Sequence, residues 1–413
     1  MGPYEIMVLL FTLTALLAYL NSRYLKLPMT TGLMGASLVL SLATLALGRL
    51  GIPVENAASQ MLQEIDFEKL LLEHMLAFLL FAGALFVNLD DLAAKKVEIG
   101  IFATLGVLAS TLLVGSGTYG LARLLGLPLD LVHCFLFGAL ISPTDPIAVL
   151  GILKSAGASR GLETKMTGES LFNDGIGVVV FLVVLELVEG TAPVTAGGVA
   201  WMFLSEAVGG AVLGGAAGYA AYRLLRSIDD YQVEIIITLA LVMAVYSGAL
   251  ALHLSGPIAI VVAGLLIGNR GRRLAMSETT REHLDTFWKL VDEILNALLF
   301  VLIGLEVLVL TFRADYLAAG LLAVPVVLLA RFASIGAPIA ALRRWRPFSP
   351  HAVTIMTWGG LRGGISVALA LSIPVDAHRE PILTMTYLVV AFSILGQGLT
   401  LHPLLRRLGV GER

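Results

Sequence analysis

Apolar residues in this chain come in long blocks, and the charged residues gather in the short stretches between them. Runs of membrane length fall at 3–21, 28–47, 70–87, 97–120, 130–150, 166–188, 198–221, 233–251, 256–269, 288–311, 316–341, 352–375 and 381–402. A helix needs about 20 residues to cross the hydrocarbon core. The pattern therefore predicts an all-α polytopic membrane protein of about thirteen transmembrane helices. The first run has no basic residue before it, and Arg23 and Lys26 follow it. It reads as a retained span with its N-terminus outside, rather than as a cleaved signal peptide.

Charge placement tests the count. With thirteen spans and the N-terminus outside, 20 of the 27 Lys and Arg residues fall in inner connections, 5 in outer ones, and Arg331 and Arg362 within spans. This positive-inside bias supports both the number of spans and a multi-pass inner-membrane location with a cytoplasmic C-terminus. Composition agrees: 58% of residues are hydrophobic, 14% are charged and the mean hydropathy is +0.90. Soluble domains carry about 25% charged residues, so soluble enzymes, nucleic-acid binders and disordered chains are excluded. The net charge of −3 says nothing about partners, and the single Cys134 excludes a disulfide framework or a Cys-based metal site.

Two spans are interrupted. The fifth contains Ser142-Pro143-Thr144-Asp145-Pro146, with two prolines around an acid. The twelfth contains Gly359-Gly360-Leu361-Arg362-Gly363-Gly364, with glycines around a base. Proline removes a helical hydrogen bond and glycine leaves helical geometry easily, yet broken backbone at membrane depth survives only where protein or a cavity satisfies it. The breaks occupy the middle helices of spans 4–6 and 11–13. These sets are offset by seven spans, an odd number, so they insert with opposite topology. That is the inverted-repeat pattern of secondary transporters, with broken helices crossing at the substrate site.

Asp145, Glu169, Asp174, Arg331 and Arg362 lie inside spans, where ionisable groups are paired or functional. Glu169, Ser170, Asn173 and Asp174 share one helical face. With Thr144 and Asp145 they form an all-oxygen cluster suited to a hard cation. Glu169 is expected to pair with Arg331, and Arg362 to balance charge and helix dipoles at the crossing. Asp145 reads equally as a half-helix cap or a substrate ligand. Two bases cannot neutralise three acids, which leaves Asp174 as the candidate carrier. Glu186, Glu206 and Glu306 read as interfacial groups near outer ends, and Gly210, Gly214 and Gly218 as a packing face.

The motifs around Thr144 and Asp145, Glu169-Ser170-x-x-Asn173-Asp174-Gly175, an arginine in span 11 and Gly359-Gly360-Leu361-Arg362-Gly363 closely resemble the NhaP-type branch of the monovalent cation–proton antiporters, over essentially the whole chain. The resemblance implies a thirteen-helix homodimer. Residues 97–188 and 316–402 would form a translocating core that moves against scaffold and dimerisation helices at 1–96 and 198–311, with 403–413 a short cytoplasmic tail. It also implies that Asp174 carries both ion and proton, that Thr144, Asp145, Ser170 and Glu169 surround the transported cation, and that Arg331 bridges Glu169.

The expected function is exchange of a monovalent cation, Na+ or Li+ with K+ as the alternative, for H+ in sodium transport and pH homeostasis. Competition for one carboxylate makes the exchange obligatory. Asn173 offers a neutral hydrogen-bonding partner where an aspartate would add a second carried charge, so one-to-one, electroneutral exchange is expected. No enzymatic activity, cofactor or nucleotide is expected, since no Walker-type loop is present. An intramembrane aspartyl protease would leave the glutamate–arginine pair and the matched breaks unexplained. A channel would need a filter loop that is not found.

Overall fold

The computed structural model describes residues 3–50, 70–145, 147–190, 195–376 and 378–410. Pro146 of the first break and residues 411–413 of the tail lie outside the described residues. The described chain is helical. We label its principal helices α1 (Pro3–Leu20), α2 (Met29–Arg49), α3 (Leu76–Leu85), α4 (Val107–Leu125), α5 (Leu131–Leu140), α6 (Ile147–Ser155), α7 (Arg160–Glu189) and α8 (Ala196–Leu225). The second half contains α9 (Tyr231–Ala251), α10 (Gly256–Leu266), α11 (Glu278–Leu305), α12 (Ala314–Leu342), α13 (Ala352–Trp358), α14 (Gly364–Leu371), α15 (Arg379–Ala391) and α16 (Gly398–Arg407).

Each predicted apolar run is met by one of these helices or by a broken or bent pair. The pairs are α5 with α6, α13 with α14, and α15 with α16, the last joined by a π-helical turn at Phe392–Gln397. Among the described residues, eight helical stretches are individually long and apolar enough to cross a membrane. Their outward faces are apolar too: Tyr4, Met7 and Phe11 on α1, and Trp201, Leu204, Val208 and Val212 on α8, are exposed. In water such faces would be unstable, whereas against lipid they cost nothing to expose.

Helix starts follow local chemistry. Asp230, Ser255 and Ser277 each accept a backbone N–H of the following first turn, opening α9, α10 and α11. The small-residue face on α8 lies against α10: a β-carbon at Gly214 would fall 2.0 Å from the Ala259 carbonyl oxygen. Around the breaks, α4 packs along α5 and α12, α7 packs along α5, and α12 packs along α15. The interfacial reading fails for Glu306. It lies in a short 3-10 turn that follows α11, is 6% exposed, and sits close to Arg379. Glu186 and Glu206 are half-buried.

Candidate ion site

The two broken helices meet. An antiparallel bridge joins Asp145 to Leu361, with the Asp145 backbone N–H donating to the Leu361 carbonyl at 2.8 Å. Glycine is required at two points of this crossing. A β-carbon at Gly360 would stand 2.6 Å from Arg331 Nε, and one at Gly363 would stand 2.8 Å from the Asp145 β-carbon. Both lie well inside van der Waals contact, so a side chain at position 360 would displace Arg331 and one at position 363 would push the breaks apart.

The unwound backbone is satisfied by side chains, as burial demands. Arg362 Nη1 donates to the carbonyls of Ser142 (2.5 Å) and Pro143 (2.9 Å), placing a cation at the C-terminal end of α5 where the helix dipole is negative. The backbone N–H of Arg362 donates to Ser393 Oγ on the π-helical turn, and Ser393 donates to Gln397 Oε1. Ser142 Oγ reaches Ser110 Oγ on α4 at 2.9 Å. Arg362 thus balances carbonyl dipoles rather than a carboxylate.

Helix α7 carries the rest. Arg331 on α12 grips Glu169 with both terminal nitrogens, Nη1 to Oε1 at 2.5 Å and Nη2 to Oε2 at 2.9 Å, and both side chains are nearly inaccessible. Asn173 Nδ2 donates to Thr144 Oγ1 (2.8 Å) and Glu169 Oε1 (3.3 Å), while its Oδ1 accepts the Thr144 backbone N–H (3.2 Å). Ser170 Oγ donates to the Thr144 carbonyl. Asn173 is therefore engaged as a strut between α7 and the first break, with both ends of its amide turned away from the cavity.

Asp174 differs from its neighbours. It lines a cavity of about 590 Å³ together with Pro143, Thr144 and Asp145, and among the described residues no hydrogen bond or ion pair engages its carboxylate. Glu169, Ser170 and Arg331 instead border a small separate gap behind Thr144 and Asp145. Of the eight candidate residues, the crossing brings Thr144, Asp145, Glu169, Ser170, Asn173 and Arg331 together. It sets Asp174 on the cavity side and Arg362 behind the break.

The cavity opens toward the end of the bundle marked by Asp91, Arg160 and Glu163, and its wall includes Lys289, Asp292, Glu293 and Asn296 of α11. Sequence reasoning missed Asp292, whose Oδ1 accepts from Asn296 Nδ2 at 3.1 Å. The available signal was the i,i+4 placement of Asp292 and Asn296 within an apolar run. Also missed was the buried pairing of Lys165 with Glu98 at 3.8 Å, with Lys165 Nζ 3.9 Å from the centre of the Phe348 ring. Lys165 counts among the inner-loop charges, yet its side chain is enclosed.

Comparison with known proteins agrees with this architecture. The Na(+)/H(+) antiporter NhaP of Pseudomonas aeruginosa is 49% identical over 414 residues, covering 99% of this chain and 97% of that protein. The Na(+)/H(+) antiporter NhaH of Halobacillus aidingensis is 38% identical over 383 residues, covering 91% and 92%. The solved structure of the sodium proton antiporter MjNhaP1 from Methanocaldococcus jannaschii superposes with a TM-score of 0.76 over 98% of both chains at 19% identity, a likeness of fold. Residues 12–407 match the family described as sodium/hydrogen exchanger, transmembrane. With that coverage, and with crossed helix breaks beside an acid open to a cavity, the chain belongs to the sodium/hydrogen exchanger family.

Proposed function

We propose that this chain is a secondary antiporter, not an enzyme, that exchanges Na+ or Li+ for H+ one for one by competition at Asp174. The observation that carries the reading is the contrast on α7. Glu169 is neutralised by Arg331, while the Asp174 carboxylate lines the cavity with no hydrogen bond or ion pair among the described residues. A carboxylate in that position accepts either a proton or a cation. Thr144 and Asp145 supply further oxygen near the cation, which suits a hard ion, while Ser170, expected among the ligands, instead ties the Thr144 carbonyl from behind. Glu169, Arg331 and Asn173 brace the first break, and Arg362 offsets the carbonyls at the end of α5.

Residues 97–188 and 316–402 act in this reading as the moving core, against a scaffold of 1–96 and 198–311 that also forms a homodimer in the bilayer. The charge bias of the connections orients the cavity toward the cytoplasm. Because one carboxylate carries one charge in each direction, exchange is electroneutral and driven by concentration gradients alone.

Purified protein in liposomes containing a pH dye tests this. Net proton flux is expected to vanish when the inside-to-outside ratios of Na+ and H+ are equal. That reversal point should stay fixed under an imposed voltage. A reversal point that moves with voltage overturns one-to-one exchange. Absence of any Na+- or Li+-driven proton movement overturns the function.

A further inference from the structure

At the end of the bundle opposite the cavity mouth, a second group of ionisable side chains stands apart from Asp174. From Arg160 at the mouth the chain runs back through α6 to the first break, and α5 continues to the far end at Asp130 and His133. His378 immediately precedes α15. One ligand atom from each of Asp130, His133 and His378 lies within 4.8 Å of the others. The two imidazole rings face each other with centroids 3.8 Å apart at 15°.

Stacking and the shared Asp376 carboxylate account for part of this arrangement, but leave polar atoms of Asp130 and His133 without a hydrogen bond among the described residues. Asp130 occupies the N-cap position of α5, but its carboxylate makes no capping bond. Both ring nitrogens of His133 are shielded from solvent, and among the described residues neither has a hydrogen-bond partner; Asp376 Oδ2 lies 3.8 Å from Nε2, an ion-pair contact when the ring is protonated. His378 is held from behind: Asp376 Oδ2 lies 3.0 Å from its Nδ1, and Asp376 Oδ1 accepts the backbone N–H groups of His378 and Arg379. A carboxylate on one imidazole nitrogen fixes the tautomer that leaves a lone pair on the other, which is how metal-binding histidines are commonly supported.

We propose that Asp130, His133 and His378 form a binding site for a divalent transition-metal ion of the Zn2+ class, with Asp376 as the supporting carboxylate. Two imidazole nitrogens and one carboxylate form a donor set that Zn2+ accepts, whereas Mg2+ and Ca2+ favour oxygen shells. Three protein ligands leave a position for water. The stacked rings hold their lone pairs in nearly parallel planes, so in this proposal both rings turn toward one another as the exposed Asp130 closes onto the ion. A bound ion ties the helix entering the first break to the turn that follows the second broken helix. It therefore stabilises the folded chain by mass action.

Tag-free protein in detergent, titrated with ZnCl2 against a chromogenic chelator and followed in parallel by thermal melting, tests the site. One saturable ion per chain is expected, with a rise in melting temperature that millimolar MgCl2 does not reproduce. His133→Ala and His378→Ala should each weaken binding at least tenfold and remove the melting shift, while basal Na+-driven exchange in metal-free buffer persists. Should either alanine variant fail to fold, Asp130→Asn, a change at an exposed position, is expected to weaken binding several-fold. No saturable Zn2+ binding by the parent overturns the site. So does affinity unchanged in all folded variants, which would mark an adventitious ion only.

Discussion

Glu169 and Asp174 sit five residues apart on one helix, and the structure gives them opposite surroundings. Behind the first break the side chains are closely paired. Glu169 is held by both terminal nitrogens of Arg331, Asn173 is turned onto Thr144 and Glu169, and Arg362 holds the carbonyls of Ser142 and Pro143. In front of it, Asp174, Asp145 and Thr144 border a cavity that reaches the bundle end. The difference lies in the partner each carboxylate meets. A fully paired buried acid is fixed in charge, whereas an acid that borders a cavity without such a pair among the described residues is the one left to bind a proton or a cation in the proposed exchange. The paired acid and the cavity-lining acid thus lie within two helical turns, with the broken helix as the divider.

Changing each wall separately tests that contrast. The largest effect is expected at the front. Asp174→Asn should abolish exchange, by more than about a hundredfold in the liposome assay, while the protein still elutes as a folded species, since volume is kept and only the charge is lost. Measurable exchange near the parental rate would refute the assignment of Asp174 as carrier.

Behind the break the expected loss is in stability. Arg331→Ala leaves Glu169 buried without its partner, which costs about 3–5 kcal/mol, and should lower the melting temperature markedly. A melting temperature equal to the parent's would mean that the pair does not brace the fold. Asn173→Ala removes hydrogen bonds to Thr144 but no charge. The expected cost is about 1–3 kcal/mol, read as a smaller melting shift with partial retention of exchange. Complete loss of exchange in a stable Asn173→Ala protein would move Asn173 from the brace to the ion path.

The smallest effect is expected at the mouth. Asp292→Asn removes a cavity-wall acid that attracts cations by its field. It should raise the half-saturating cation concentration a few-fold at low ionic strength, with the maximal rate retained and the difference fading as salt rises. A lost maximal rate would instead place Asp292 in the transport step itself.

Much of this was legible in the chain. Hydrophobic blocks give the spans because lipid leaves a helix no alternative way to satisfy its backbone. The Pro and Gly clusters locate the breaks, and helical periodicity places Glu169, Ser170, Asn173 and Asp174 on one side of α7. Periodicity gives an angle around an axis, however, and not the identity of the neighbour. Arg331 lies 162 residues from Glu169, and Asp292 reaches the cavity only because α11 packs where it does. Glu306 looks interfacial until the chain folds back after α11 and encloses it. Lys165 counts correctly as an inner-side charge yet is buried against Glu98 and Phe348. The sequence by itself determined that this is a bundle of membrane helices with two crossed breaks and more acids than bases at mid-depth. Only the tertiary structure decided which acid is tied and which is open. Pairing of buried charges depends on distances of a few ångströms between helices far apart in the chain, and the Coulomb and hydration terms that separate a brace from a carrier change steeply over such distances.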